Sequence, residues 1–134
     1  MSHLVKQTSA AGVIIKDLDL LDKACSKLGL KLHTDRKVAR YYAQNTAKCD
    51  AVITLEGCES EIAVFKQADG TFTIEADTSV YEDIRNALGG TSADFLFQRY
   101  RAEELIEQAR NDGFSVAREE WNPNTQELQL AFER

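Results

Sequence analysis

Apolar and polar positions alternate along the middle of the chain and again at its end, and recur at helical spacing between. Cys49, Ala51, Ile53 and Leu55 alternate with Asp50, Val52, Thr54 and Glu56. Ile62, Val64 and Lys66 alternate with Ala63, Phe65 and Gln67, and Phe72, Ile74 and Ala76 with Thr73, Glu75 and Asp77. A period of two puts each set on one face of a strand, so this stretch predicts a three-stranded meander. Residues 57–60 turn the chain once, and Asp69-Gly70 is a strong hairpin signal. Near the end, Phe114, Val116 and Arg118 fall on one face of a strand, with Ala117, Glu119 and Trp121 on the other. Asn122-Pro123-Asn124-Thr125 then reads as a turn, because proline fixes φ and asparagine tolerates tight geometry. Leu128, Leu130 and Phe132 alternate with Glu127, Gln129, Ala131 and Glu133, the pattern of a half-buried antiparallel strand.

Two helices are equally legible. Asp17 caps one that carries Leu18, Leu21, Cys25 and Leu28 on a stripe widened by Leu20 and Ala24, and Gly29 ends it. The other runs from a capping box at Thr91-Ser92-Ala93-Asp94 to a stop at Asn111-Asp112-Gly113. At about 100° per residue, Phe95, Ala102, Leu105, Ile106 and Ala109 form its expected core stripe. Leu96, Phe97 and Tyr100 form a second patch among Glu103, Glu104 and Glu107. Either another helix covers this patch, or it is an interaction surface for a partner.

The remaining elements are weaker. Residues 2–8 and Val13-Ile14-Ile15 read as strands, the β-branched run more convincingly than the first. Val80 to Leu88 reads as a short helix with Val80, Ile84 and Leu88 on its apolar face, joined to the long helix through Gly89-Gly90. Lys31 to Ala47 has no clear period, although Val38-Ala39-Arg40-Tyr41-Tyr42 has strand composition. The expected fold is one α+β domain over residues 1–134. It has a mainly antiparallel sheet of N-terminal strand, central meander and C-terminal hairpin, with the N-terminal and long helices mainly on one face.

Composition narrows the function. A net charge of −6 and a pI near 4.9 argue against a nucleic-acid binder, which needs a basic face. The basic stretch Lys31 to Arg40 weakens that argument without reversing it. No apolar run approaches the ~20 residues of a membrane-spanning helix, and Met1 to Lys6 lacks a signal peptide's apolar core. Three cysteines, an odd number, fit a cytoplasmic protein better than a disulfide framework.

Candidate chemistry is sparse. A metal would need Cys49 and Cys58 with His3, His33 or Cys25, but the sequence has no close Cys-x-x-Cys pair. A nucleophilic site would need a Cys or Ser oriented by His3 or His33, and neither lies in a motif. Glu103 with Glu107 and Glu119 with Glu120 are carboxylate pairs of the kind that face water. Gly89-Gly90 lacks the surroundings of a phosphate loop. No catalytic residue, metal or cofactor is therefore expected.

The opening Met1-Ser2-His3, the helix from Leu18 to Gly29, Tyr100, Ala109, Gly113-Phe114-Ser115-Val116 and Leu128-Gln129-Leu130 together resemble the hypothetical chloroplast reading frame thirty-five family. That family occurs in plastids and cyanobacteria, with relatives in other bacteria. The resemblance implies an intracellular α+β protein, in the cytoplasm or the plastid stroma of a photosynthetic cell or in its phage. It supplies no activity and no catalytic residues. Two functions are expected in competition. One is a non-catalytic protein-interaction or assembly module that uses Leu96, Phe97 and Tyr100 on a protein partner or a second copy. The other is a small-molecule-binding protein or enzyme with a pocket between sheet and helices. Tyr41, Tyr42 and Trp121 are the candidate residues of that pocket.

Overall fold

The computed structural model describes residues 4–9, 11–41, 45–77, 82–90 and 93–134. The chain is α+β and its largest sheet has five strands, ordered β1-β7-β6-β5-β2. These are β1 (Val5–Gln7), β2 (Leu30–His33), β5 (Ala51–Leu55), β6 (Ile62–Lys66) and β7 (Phe72–Ala76), and every pairing among them is antiparallel. The expected meander is its centre. The turn at Asp69-Gly70 forms as the sequence indicates: the Asp69 carboxylate accepts from the Thr71 amide at 3.0 Å, and Gln67 N–H donates to Thr71 C=O at 2.8 Å.

Inward residues of the meander, among them Ile53, Ile62, Val64 and Ile74, are almost fully buried in one core cluster. Helices α1 (Leu18–Lys27), α2 (Glu82–Leu88) and α3 (Asp94–Asn111) contribute much of the rest of that cluster, with Ile15, Leu30, Leu32 and Ala93. α1 starts as predicted, with the Asp17 carboxylate accepting from the amides of Asp19 and Leu20 at 2.8 and 3.3 Å. Leu20, Leu21, Ala24 and Cys25 are its buried stripe. On α2, Ile84 and Leu88 are buried as expected, while Val80 lies outside the described residues.

The region without a readable period holds three strands: β2, β3 (Val38–Tyr41) and β4 (Asn45–Lys48). β3 and β4 form a separate hairpin. Ala39 packs on Val52 and Ala63, on the sheet face opposite the main core. Glu61 fixes it there. Its carboxylate takes two hydrogen bonds from the Arg36 guanidinium, both at 2.7 Å, and a third from the Arg40 amide at 2.8 Å. Val13-Ile14-Ile15, the better of the two expected N-terminal strands, forms only a single bridge from Ile15 to Phe72, whereas β1 lies within the weaker candidate.

The C-terminal hairpin also departs from expectation. β8 (Ser115–Asn122) and β9 (Glu127–Glu133) form their own two-stranded sheet rather than joining the five strands. The register passes from Val116 opposite Phe132 to Arg118 opposite Ala131, so Ala117 is a bulge. A bulge moves all later side chains to the other face. Val116, predicted opposite to Glu119 and Trp121, therefore shares their face, together with Leu128, Leu130 and Phe132. This hairpin packs against α3.

The start of α3 differs too. Asp94 is its first helical residue, and the buried Ala93 precedes it with φ of 54° and no side-chain cap. Thr91, the expected cap, lies outside the described residues. The end of α3 is as predicted. Gly113, at φ +88°, donates to Arg110 C=O at 3.1 Å, and Phe114 N–H donates to Ala109 C=O at 2.8 Å. Those two bonds are the paired closure of a Schellman motif.

Candidate functional site

The burial of α3 decides where a site can be. Leu96 and Tyr100 are completely buried and Phe97 is 6% exposed, all within the main core cluster. The Tyr100 hydroxyl accepts hydrogen bonds from the amides of Lys16 and Asp17 at 2.8 and 3.1 Å, tying α3 to the start of α1. Burial raises the Tyr100 pKa, against the opposing effect of those two amides. The patch proposed as an interaction surface is thus core. The expected core stripe is correspondingly the looser face: Phe95 and Ala109 are half-buried and Leu105 is 37% exposed, although Ala102 and Ile106 are buried.

The physical reason is a buried charge pair. Arg99 and Glu103 lie one turn apart, both under 8% exposed, with Arg99 Nη2 at 3.1 Å from Glu103 Oε1. They stand in the middle of the buried arc. Counted as polar, they divide one broad buried face into two narrow apolar patches.

That looser face meets the C-terminal hairpin, and a groove of about 580 Å³ opens at the junction. Lys27 and Leu28 at the end of α1, Asn86 and Ala87 on α2, and Phe95 and Arg99 on α3 line one side. Trp121, Pro123, Gln126 and Leu128 of the hairpin line the other. Trp121 is the chain's single tryptophan and is 45% exposed. Its ring stands edge-to-face on Phe95, with centroids 5.0 Å apart, a favoured aromatic geometry. The Asn122 side chain shapes the turn by accepting from the amides of Asn124 and Thr125 at 2.9 and 3.3 Å.

Polar groups fix the groove's walls. The Gln98 side-chain amide donates to Gln126 C=O at 3.1 Å and accepts from the Leu128 amide, clamping the hairpin at the start of β9. Glu119 forms ion pairs with Arg99 and with Lys27, the latter at 3.8 Å. A second groove of about 500 Å³, lined by Phe97, Ala102, Leu105 and Leu130 among others, shares Phe95, Gln126 and Leu128 with the first.

The residues expected around a ligand are not brought together. Trp121 lines the groove, but Tyr41 ends β3 in the hairpin packed on the far face of the sheet. Tyr42 lies outside the described residues. The groove lies between hairpin and helices rather than between sheet and helices. Sequence reading missed Phe95, Arg99, Gln98 and Lys27 as its partners. The available signal was the pairing of a lone tryptophan with Leu128 across the turn.

The three thiols are free and apart. Burial pushes Cys25 up to about 12, with the charge of Asp22 adding to it. Burial also raises Cys49, in the cluster beneath β3, and Cys58, at the edge of the main core. His33 Nε2 lies 2.9 Å from the Thr54 hydroxyl, and His3 is outside the described residues. Among the described residues no group of three His, Cys, Asp or Glu side chains could hold a metal ion. Glu103 is paired with Arg99, while Glu107 is exposed. Among the described residues no helix is long and apolar enough to cross a membrane. No family model matches the chain, and no curated protein or solved structure matches it.

Proposed function

We propose that the chain is a non-catalytic intracellular interaction module, and that its contact surface is the groove between the C-terminal hairpin and the helices. One observation carries the reading: Trp121 stands 45% exposed on the wall of an apolar groove. Exposed apolar clusters of this kind mark interaction sites, and tryptophan anchors supply binding energy out of proportion to their number. Phe95 packs edge-to-face with the indole, which keeps much of its surface open to a partner.

A second reading takes the groove as a small-molecule site. Its volume of about 580 Å³ supports this, because ligand pockets run from about 300 to 1,000 Å³. The test is capture from the native cell lysate with wild-type protein and Trp121→Ala in parallel, reading both proteins and small molecules by mass spectrometry. A protein lost from the variant, at unchanged melting temperature, supports the module. A small molecule lost instead selects the second reading, and identical captures count against the groove.

A further inference from the structure

We propose that β8 and β9 form a strap, hinged at Gly113, that undocks from α3 as a unit and is latched by Glu119 on Arg99. The inference concerns the free chain and does not depend on what the groove binds.

Three observations carry it. First, every residue from 115 to 134 is half-buried or exposed, so the hairpin places nothing in the core. Its apolar side chains Val116, Leu128, Leu130 and Phe132 are all only half-buried. Second, among the described residues no backbone–backbone hydrogen bond joins this segment to the rest of the chain. Its polar ties run through side chains: Gln98 to Gln126 and Leu128, and Glu119 to Arg99 and Lys27. Third, grooves of about 580 and 500 Å³ flank the docked hairpin, so much of the junction is not close-packed. Segments with few buried apolar contacts open locally, well below the free energy of global unfolding.

The latch has a built-in resting state. A buried arginine that loses its only carboxylate is strongly disfavoured. Arg99 does not face that loss, because Glu103 stays beside it at 3.1 Å on its own helix. Glu119 moves with the hairpin into water, where a carboxylate is well solvated. The pair can therefore break and re-form without stranding a charge. Gly113 supplies the pivot. It sits at φ +88° within the closing turn of α3, two residues before β8 begins, and a Cβ there would meet nothing within 4 Å.

Hydrogen exchange of the full chain over a urea series, read by mass spectrometry, tests the strap. Peptides covering 115–122 and 127–133 should exchange together, ahead of those from β5 and β6, with a shallower dependence on urea. Glu119→Gln should speed hairpin exchange roughly tenfold and leave β5 and β6 unchanged. Glu103→Gln, which removes the resting partner but not the latch, should not release the hairpin. Hairpin amides that share the rate and urea slope of β5 and β6 in the wild-type chain would overturn the strap. So would equal acceleration of hairpin and sheet in Glu119→Gln. Acceleration of the hairpin in Glu103→Gln to match Glu119→Gln would overturn the latch.

Discussion

At the scale of single residues, Tyr100 shows why its spacing alone could not place it. Its ring is completely buried, and its hydroxyl serves the amides of Lys16 and Asp17, 84 and 83 positions away. No local pattern encodes a partner at that distance. Tyr100→Phe keeps the ring and leaves both amides without their acceptor, so it should lose about 1–3 kcal/mol. Urea unfolding should register that loss with sedimentation unchanged; unchanged stability would mean those bonds do little. Glu61 is a different case, because its partners Arg36 and Arg40 are charged and pH reports on it. Burial opposes its ionisation, but hydrogen bonds from Arg36 and the Arg40 amide prevail and hold its pKa below the ordinary value. A lowered folded pKa means that the stabilisation is fully present above the unfolded value, near 4.3. It is lost as pH falls through the folded value. Glu61→Gln should therefore cost about 1.5–3 kcal/mol at pH 7, and the gap to wild type should narrow well below pH 4. A gap that stays constant with pH would rule out the ionic account.

At the scale of elements, boundaries were more legible than faces. Asp17 and Gly113 mark helix ends through local chemistry that acts within a few residues, and both do so as read. The face of α3 was misread because Arg99 and Glu103 sit within its buried arc, where a wheel expects apolar residues. The hairpin was misread at one position, Ala117, because a bulge leaves no mark in a period-two pattern until the partner strand is known. β2 and β4 escaped for another reason, and β3, within the run Val38 to Tyr42, was marked by composition but not by period. They are only four residues each, and β3 and β4 bury just Ala39 among their described residues. So short a run cannot establish a period. Gly113 gives the sharpest element-scale expectation. Its prospective Cβ has room, so the penalty of substitution is conformational alone. Gly113→Val should lose about 1–3 kcal/mol. Gly113→Asn should lose less, because asparagine enters the left-handed region more readily. Thermal melts that rank valine equal to or above asparagine would contradict this.

At the scale of the molecule, the chain stacks unequal layers. The five-stranded sheet and three helices enclose one large core, while the β3–β4 hairpin covers part of the outer sheet face and the β8–β9 hairpin lies on α3. The class and the meander were readable from alternation; the separation of the two hairpins was not, because alternation states that a strand has two faces and not which sheet it joins. Stability should follow the layers. Ile53 is fully buried at the centre of the sheet, so Ile53→Ala should cost about 2–5 kcal/mol, the range for aliphatic truncation in a packed core. Leu130 is half-buried in the hairpin. Its partial exposure means that it removes less apolar surface from water than a core leucine, and the loose junction leaves little cavity term to add. Leu130→Ala should then cost only about 1 kcal/mol. Equilibrium urea unfolding of the two variants, followed by far-UV circular dichroism, compares them directly. A loss at Leu130 as large as that at Ile53 would mean that the hairpin is an integral wall of the core, and that the layered distribution of stability is wrong.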